Sequence, residues 1–365
     1  MDEVQQIQHV AAAATGAPAL TPLSRWMETL RERVATAQWL TQIRERIAVA
    51  DHSAPAPAPP RRLGLALGGG GGKAAAHLGV LQVLEEFEVP VDLMVGASAG
   101  GAVAILHAAG IDHATIRAIF RSSALRRIAL PDPTRTGIFG QRRREELLTR
   151  YLEDRTFADL PIPCAVVATD LASGATVTIN EGPLVPAILA TTALPSIFPP
   201  VPYDDMLLAD GGIINNLPVD VAYALGADKV IAVELSDAVP GFSLPPIDLE
   251  NPLARLTLAP QQLAIAQRAL GLLVARATEL QLQQFPPDLL LRPFVADIST
   301  LDLANPEKGE AAGLQAARDA AGEIADLRLW RNGQAAGGRR QEAGGRKQAR
   351  AGAYRPALNS ALLQQ

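Results

Sequence analysis

Apolar and polar positions change period repeatedly along this chain. Residues 63–67 (Leu-Gly-Leu-Ala-Leu) form a short apolar run, and Ala76, Leu78, Val80, Leu81 and Leu84 then recur at helical spacing. A second apolar run over 91–95, broken only by Asp92, passes into a helical composition over 102–109. The alternation continues. It predicts helices over 111–128, 142–151 (charges on the outside), 184–192, 219–225 and 307–329. A longer helical stretch over 253–284 is interrupted at Pro260. It predicts strands over 164–168, 176–179, 206–209, 230–233 and 289–291, and loops over 131–140 and 195–202. Strands alternating with helices argue for a mainly parallel central sheet with helices on both faces.

The flanks differ from this core. Residues 1–53 read as a helical extension, and 54–62 as a semi-rigid linker in which 54–60 alternate Ala and Pro. The main domain is expected over 63–330. From 331 to 365 the chain turns to Gly, Arg, Gln and Ala, a basic low-complexity tail of disordered character.

Composition narrows the function classes. The 365 residues are 48% hydrophobic and 19% charged with a net charge of −5, which carries no basic footprint for specific nucleic-acid binding. A single cysteine, Cys164, excludes an internal disulfide and a cysteine-cluster metal site. The start Met1-Asp2-Glu3 lacks a basic, then apolar, leader, and no apolar run reaches membrane-spanning length. The expectation is a cytoplasmic protein that acts, if at a membrane, at its periphery.

The candidate chemistry centres on Gly96-Ala97-Ser98-Ala99-Gly100. It fits G-x-S-x-G, in which a strand turns sharply into a helix with a serine at the corner. Small neighbours are needed because the corner is strained, and the following helix aims its N-terminal N–H groups at a developing oxyanion. The glycine run 68–72 has three competing readings. A phosphate loop fails at Leu67 and Ala74. A dinucleotide loop through Gly69, Gly71 and Ala74 survives locally but leaves Ser98 unexplained. An oxyanion hole of converging backbone N–H groups accounts for both stretches.

A nucleophilic serine needs a base. None of the five histidines (His9, His52, His77, His107, His113) follows the elbow where a hydrolase triad would place it. His77 and His107 read as helix-packing or surface residues. A carboxylate is the alternative. Asp210, at the end of an apolar strand and before Gly211-Gly212, would be partly desolvated and so a stronger base, or else would merely cap a turn.

Taken together, Gly68-Gly69-Gly70-Gly71-Gly72-Lys73, Gly96-Ala97-Ser98-Ala99-Gly100 and Asp210-Gly211-Gly212 resemble the patatin-like phospholipases, lipid acyl hydrolases with a Ser–Asp dyad. Residues 168–174, 192–201 and 215–219 are similar to further stretches of that family, so the motif-bearing core spans about 65–224. The bacterial members and the catalytic domain of neuropathy target esterase look most alike. The resemblance implies a three-layer α/β fold, Ser98 as nucleophile and Asp210 as its base. It also implies an oxyanion hole around Gly70, Gly71, Gly72 and Lys73, and no metal or cofactor. The implied substrate is a lipid ester met at a membrane or micelle surface. Ala74 departs from the glycine usual there. The alternative reading is a non-catalytic lipid-binding or regulatory module on the same fold.

Overall fold

The computed structural model describes residues 60–123, 133–134, 136–236, 260–300 and 302–334, with side chains from 265 onward in the helix that begins at Pro260. The expected N-terminal extension, linker residues 54–59 and the tail from 335 lie outside the described residues.

The strands are β1 (Leu63–Leu67), β2 (Leu93–Ala97), β3 (Cys164–Asp170), β4 (Thr176–Ile179), β5 (Val201–Tyr203), β6 (Met206–Asp210), β7 (Lys229–Val233) and β8 (Leu289–Leu291). The helices are α1 (Ala76–Glu86), α2 (Ser98–Ala108), α3 (His113–Ser122), α4 (Arg142–Leu152), α5 (Leu184–Thr191), α6 (Val219–Ala224), α7 (Pro260–Gln284), α8 (Pro306–Asp319) and α9 (Ala321–Arg331).

One eight-stranded sheet runs in the order β5-β6-β3-β2-β1-β7-β8, with β4 also paired to β3. The ladders joining β3, β2, β1, β7 and β8 are parallel, as the alternation predicts. β4, β5 and β6 pair antiparallel, so the sheet is mixed on the β3 side. β1, β2 and β3 are buried at every position, because helices cover both faces. Alternate residues serve separate cores. Leu65, Leu67, Met94 and Val166 pack with α1, α2, α5 and α8, whereas Ala66, Val95, Ala97 and Val167 pack with α6.

Some expectations are corrected. The stretch 195–202 is not all loop: Val201 opens β5, an edge strand that tolerates Pro202 because its missing N–H needs no ladder partner on the open side. Pro260 begins α7 rather than interrupting it, where its absent N–H costs nothing. The final helix breaks at Ala320, and α9 turns so that Arg328 donates to the Phe87 carbonyl and Arg331 makes a bidentate pair with Asp92. Arg331 therefore ends a helix and does not open the tail. The helix expected over 111–128 is described over His113–Ser122, with Asp112 accepting from the Thr115 N–H as its N-cap.

Candidate active site

β3 decides where the site forms. Its Val167 pairs with Ala97 at the end of β2, and the next residue, Ala168, pairs with Asp210 at the end of β6. Two strand ends remote in sequence thus finish side by side. Ser98, one residue past Ala97, donates from Oγ to Asp210 Oδ2 at 2.6 Å across 112 positions.

The elbow has the expected strain. Ser98 sits at φ 52, the left-handed region that side chains avoid. Gly100 is required by close approach, since a Cβ there would lie 2.4 Å from the Gly68 carbonyl oxygen. Gly96 likewise lies directly beneath Gly101. The Ser98 N–H donates to Thr191 Oγ1 at 2.9 Å, and the same hydroxyl donates to the Val167 carbonyl at 2.6 Å.

Asp210 is buried and 4% exposed. Gly212 N–H donates to its Oδ1 at 2.8 Å, Thr169 Oγ1 donates to its backbone carbonyl at 3.0 Å, and its own N–H donates to the Ala193 carbonyl at 3.0 Å. Gly211 packs against the Val167 carbonyl, leaving no room for a side chain. Burial pushes the Asp210 carboxyl up to about 6. The Ser98 hydroxyl, the Gly212 N–H and the Arg144 charge oppose that rise. A carboxylate so placed has the proton affinity of a general base near neutral pH.

The glycine run lies over Ser98, whose Cβ would be 2.9 Å from a Cβ on Gly69. A 3-10 helix over Gly71–Ala75 follows before α1 begins, so the helical start expected at Lys73 is tighter than an α-helix. This geometry revises the oxyanion assignment. Gly72 N–H donates to the Thr300 carbonyl at 2.8 Å and Lys73 N–H to the Gly70 carbonyl at 3.2 Å, so both are committed. Gly70 and Gly71 keep backbone N–H groups without a hydrogen-bond acceptor among the described residues. Gly71 has φ +57, and a Cβ there would fall 2.0 Å from the Thr300 carbonyl oxygen. Ala74 is buried in the core and is not among the residues with positive φ, so its methyl group is accommodated.

Arg144 and Asn216 were not singled out from the sequence, and His77 was read only as a helix-packing or surface residue. Arg144 was expected to face solvent on α4, yet it is 9% exposed. It donates to Gln141 Oε1 and Thr192 Oγ1, and its guanidinium stacks 4.1 Å over the Phe198 ring. Burial holds its pKa down to about 10, with the Asp210 charge opposing. No Asp or Glu forms an ion pair with it among the described residues. Asn216 accepts the Gly69 N–H on its backbone carbonyl, and its side chain lies against Gly69 and Gly212, joining the glycine run to the base turn. His77 donates from Nε2 to the Gly68 carbonyl at 2.8 Å, and burial holds it near pKa 4, hence neutral. Among the described residues no histidine is bonded to Ser98 or Asp210.

Residues 65–223 match the family model described as Patatin-like phospholipase. An NTE family protein of Mycobacterium tuberculosis is 34% identical over 182 residues, 49% of this chain and 51% of that protein. Patatin-like phospholipase domain-containing protein 6 of Homo sapiens is 34% identical over 181 residues, 47% of this chain and 13% of that protein. The chain therefore spans about half the length of its mycobacterial relatives, and far less of the human one. The crystal structure of VipD from Legionella pneumophila is 16% identical, covering 74% of this chain and 67% of that one at a TM-score of 0.48.

Proposed function

We propose, from the match of residues 65–223 to the patatin-like phospholipase family model, that the protein is a serine lipid acyl hydrolase working through Ser98 and Asp210. The observation that carries the reading is the 2.6 Å hydrogen bond from Ser98 Oγ to a buried carboxylate.

In this mechanism Asp210 takes the Ser98 proton as Oγ attacks an ester carbonyl. The tetrahedral oxyanion accepts from the Gly70 and Gly71 N–H groups, beside the positive end of α2, which begins at Ser98. Donors of this kind are each worth about 3 kcal/mol of transition-state stabilisation. The proton passes from Asp210 to the leaving alcohol, and the acyl group stays on Ser98. Water, deprotonated by Asp210, then releases the acid. The Ser98 hydroxyl, the Gly212 N–H and the buried positive charge of Arg144 together limit the rise in the Asp210 pKa.

The substrate is a lipid carboxylic ester presented at a membrane or micelle surface. Leu207 in β6, Leu171 just past β3 and Ile214 four residues past Asp210 are exposed, as are Ile265, Leu272, Leu273 and Leu280 along α7. The loop 239–246, another candidate for apolar contact, lies outside the described residues. Among the described residues no helix is long and apolar enough to cross a membrane.

The test is hydrolysis of a short-chain nitrophenyl ester, and fluorophosphonate labelling, by wild type, Ser98→Ala and Asp210→Asn. Turnover and labelling by wild type, with both lost in folded Ser98→Ala and turnover lost in Asp210→Asn, are expected. An inactive, unlabelled wild type would overturn the assignment in favour of a non-catalytic lipid-binding module, and an active wild type matched by both folded variants would remove the Ser98–Asp210 dyad.

A further inference from the structure

At the far end of α2 from Ser98, three side chains from three helices converge. Glu85 lies in the last turn of α1, His107 in the last turn of α2, and His113 is the first residue of α3. Glu85 Oε1 is 3.4 Å from His113 Nε2 and 3.8 Å from His107 Nδ1, and the two imidazole centroids are 5.7 Å apart. The potential ligand atoms all lie within 4.8 Å of one another.

We propose that Glu85, His107 and His113 bind a divalent transition-metal ion of the zinc class, with His107 Nδ1, His113 Nε2 and Glu85 Oε1 as its ligands. The site is independent of the hydrolase reading and touches neither Ser98 nor Asp210. His107 is nine residues along α2 from Ser98, about 14 Å by helical rise.

Geometry supports the site. Bonds of about 2.0–2.1 Å in a tetrahedral zinc centre place neighbouring ligand atoms about 3.3 Å apart. Two of the three edges, 3.4 and 3.8 Å, are already near that value. The third edge is no longer than 4.8 Å, and each residue lies at or near the end of its helix.

The donor set selects the ion class. Two imidazoles with one carboxylate suit zinc and its late first-row neighbours, whereas magnesium and calcium favour all-oxygen shells. A fourth position would remain for water, on the side where Glu85 is 56% exposed.

A further observation points the same way. His113 Nε2 is buried and has no hydrogen-bond partner, although it lies 3.4 Å from the Glu85 oxygen. Such a nitrogen is costly to leave unpaired and is satisfied by a metal. Bound, the ion would cross-link the ends of α1, α2 and α3, and so brace the far end of the helix that starts at the nucleophile.

The experiment uses the full chain, stripped with a chelator and dialysed. Zinc is then titrated in competition with a chromophoric chelator, and cobalt(II) is followed by its visible absorption. Wild type should take up one zinc per chain, give the intense absorption of four-coordinate cobalt, and unfold at a higher temperature with zinc. Glu85→Ala alters an exposed side chain and leaves the core intact. It and His113→Gln should each weaken binding roughly tenfold or more, since even outer-shell partners cost that much. The double variant should lose both the cobalt spectrum and the thermal response. Absence of saturable binding by wild type overturns the site. So does equal binding by the folded double variant, which would place the ion on other residues.

Discussion

Thr191 Oγ1 lies 2.9 Å from the Ser98 backbone nitrogen and 2.6 Å from the Val167 carbonyl, so one hydroxyl fastens the elbow to the strand beside it. The next two residues continue the work. Thr192 Oγ1 accepts from Arg144, and the Ala193 carbonyl accepts the Asp210 N–H at 3.0 Å. Three consecutive residues thereby hold the candidate nucleophile, the buried cation and the candidate base.

Thr191→Val should expose this dependence. The substitution keeps shape but leaves the Ser98 N–H and the Val167 carbonyl without their partner, at a cost of about 1–3 kcal/mol for each buried group. Urea unfolding should show a loss of at least about 1 kcal/mol, and ester hydrolysis should fall mainly in kcat. Thr191→Ser, which keeps the hydroxyl, should recover most of both. A valine variant as stable and active as wild type would show that the tether is dispensable.

As the candidate base, Asp210 should set a pH dependence with opposite signs for activity and stability. As a base it must be ionised, so activity should be present above about pH 6 and fall as pH drops through that value. For stability, its folded pKa is raised from the ordinary 3.8, so protonation favours the native state. Its stabilising contribution is complete below about 4 and lost as pH rises through about 6. That difference corresponds to on the order of 3 kcal/mol. Asp210→Asn should therefore melt at a higher temperature than wild type at pH 8, with the advantage shrinking toward pH 4. A constant difference across that range would contradict the linkage.

Arg144 should be visible in the same pH profile. Its positive charge opposes the rise in the Asp210 pKa, so Arg144→Met should move the acid limb of kcat/KM to higher pH. Arg144→Lys should restore the limb even where lost bonds to Gln141 and Thr192 lower the rate. A purely packing role for the side chain would leave the limb in place in both variants.

The strained backbone yields a stability test that needs no substrate. Ser98 at φ 52 carries a conformational cost of about 1 kcal/mol that glycine does not. Ser98→Gly should be inactive yet unfold at higher denaturant than Ser98→Ala. Gly71→Ala should do the reverse to the glycine run, because its Cβ would collide with the Thr300 carbonyl. A loss of about 2 kcal/mol or more is expected from denaturant unfolding, together with loss of turnover. An alanine variant of wild-type stability would mean that the 299–302 segment yields easily.

Much of the architecture was legible in local pattern. The strands at 176–179 and 289–291 and the strand ending at Asp210 follow from apolar runs bounded by turn residues, a signal carried by neighbours in sequence. The elbow and the base turn were legible for the same reason: a left-handed corner and a close backbone approach demand small residues at fixed offsets. Other features left no local trace. Arg144 sits in the run Arg142-Arg143-Arg144-Glu145-Glu146, which reads as a solvated face. Only the packing of α4 against α5 and the Phe198 ring turns that one arginine inward. Which glycine amides stay available was decided by the distant segment at Thr300, and Glu85, His107 and His113 converge only because three helix ends do. Sequence determines such features as dictate the dihedrals and burial of adjacent residues. The pairing of Ser98 with Asp210 instead rests on register, since neighbouring residues of β3 receive two strand ends 112 positions apart, and register is a property of the folded sheet.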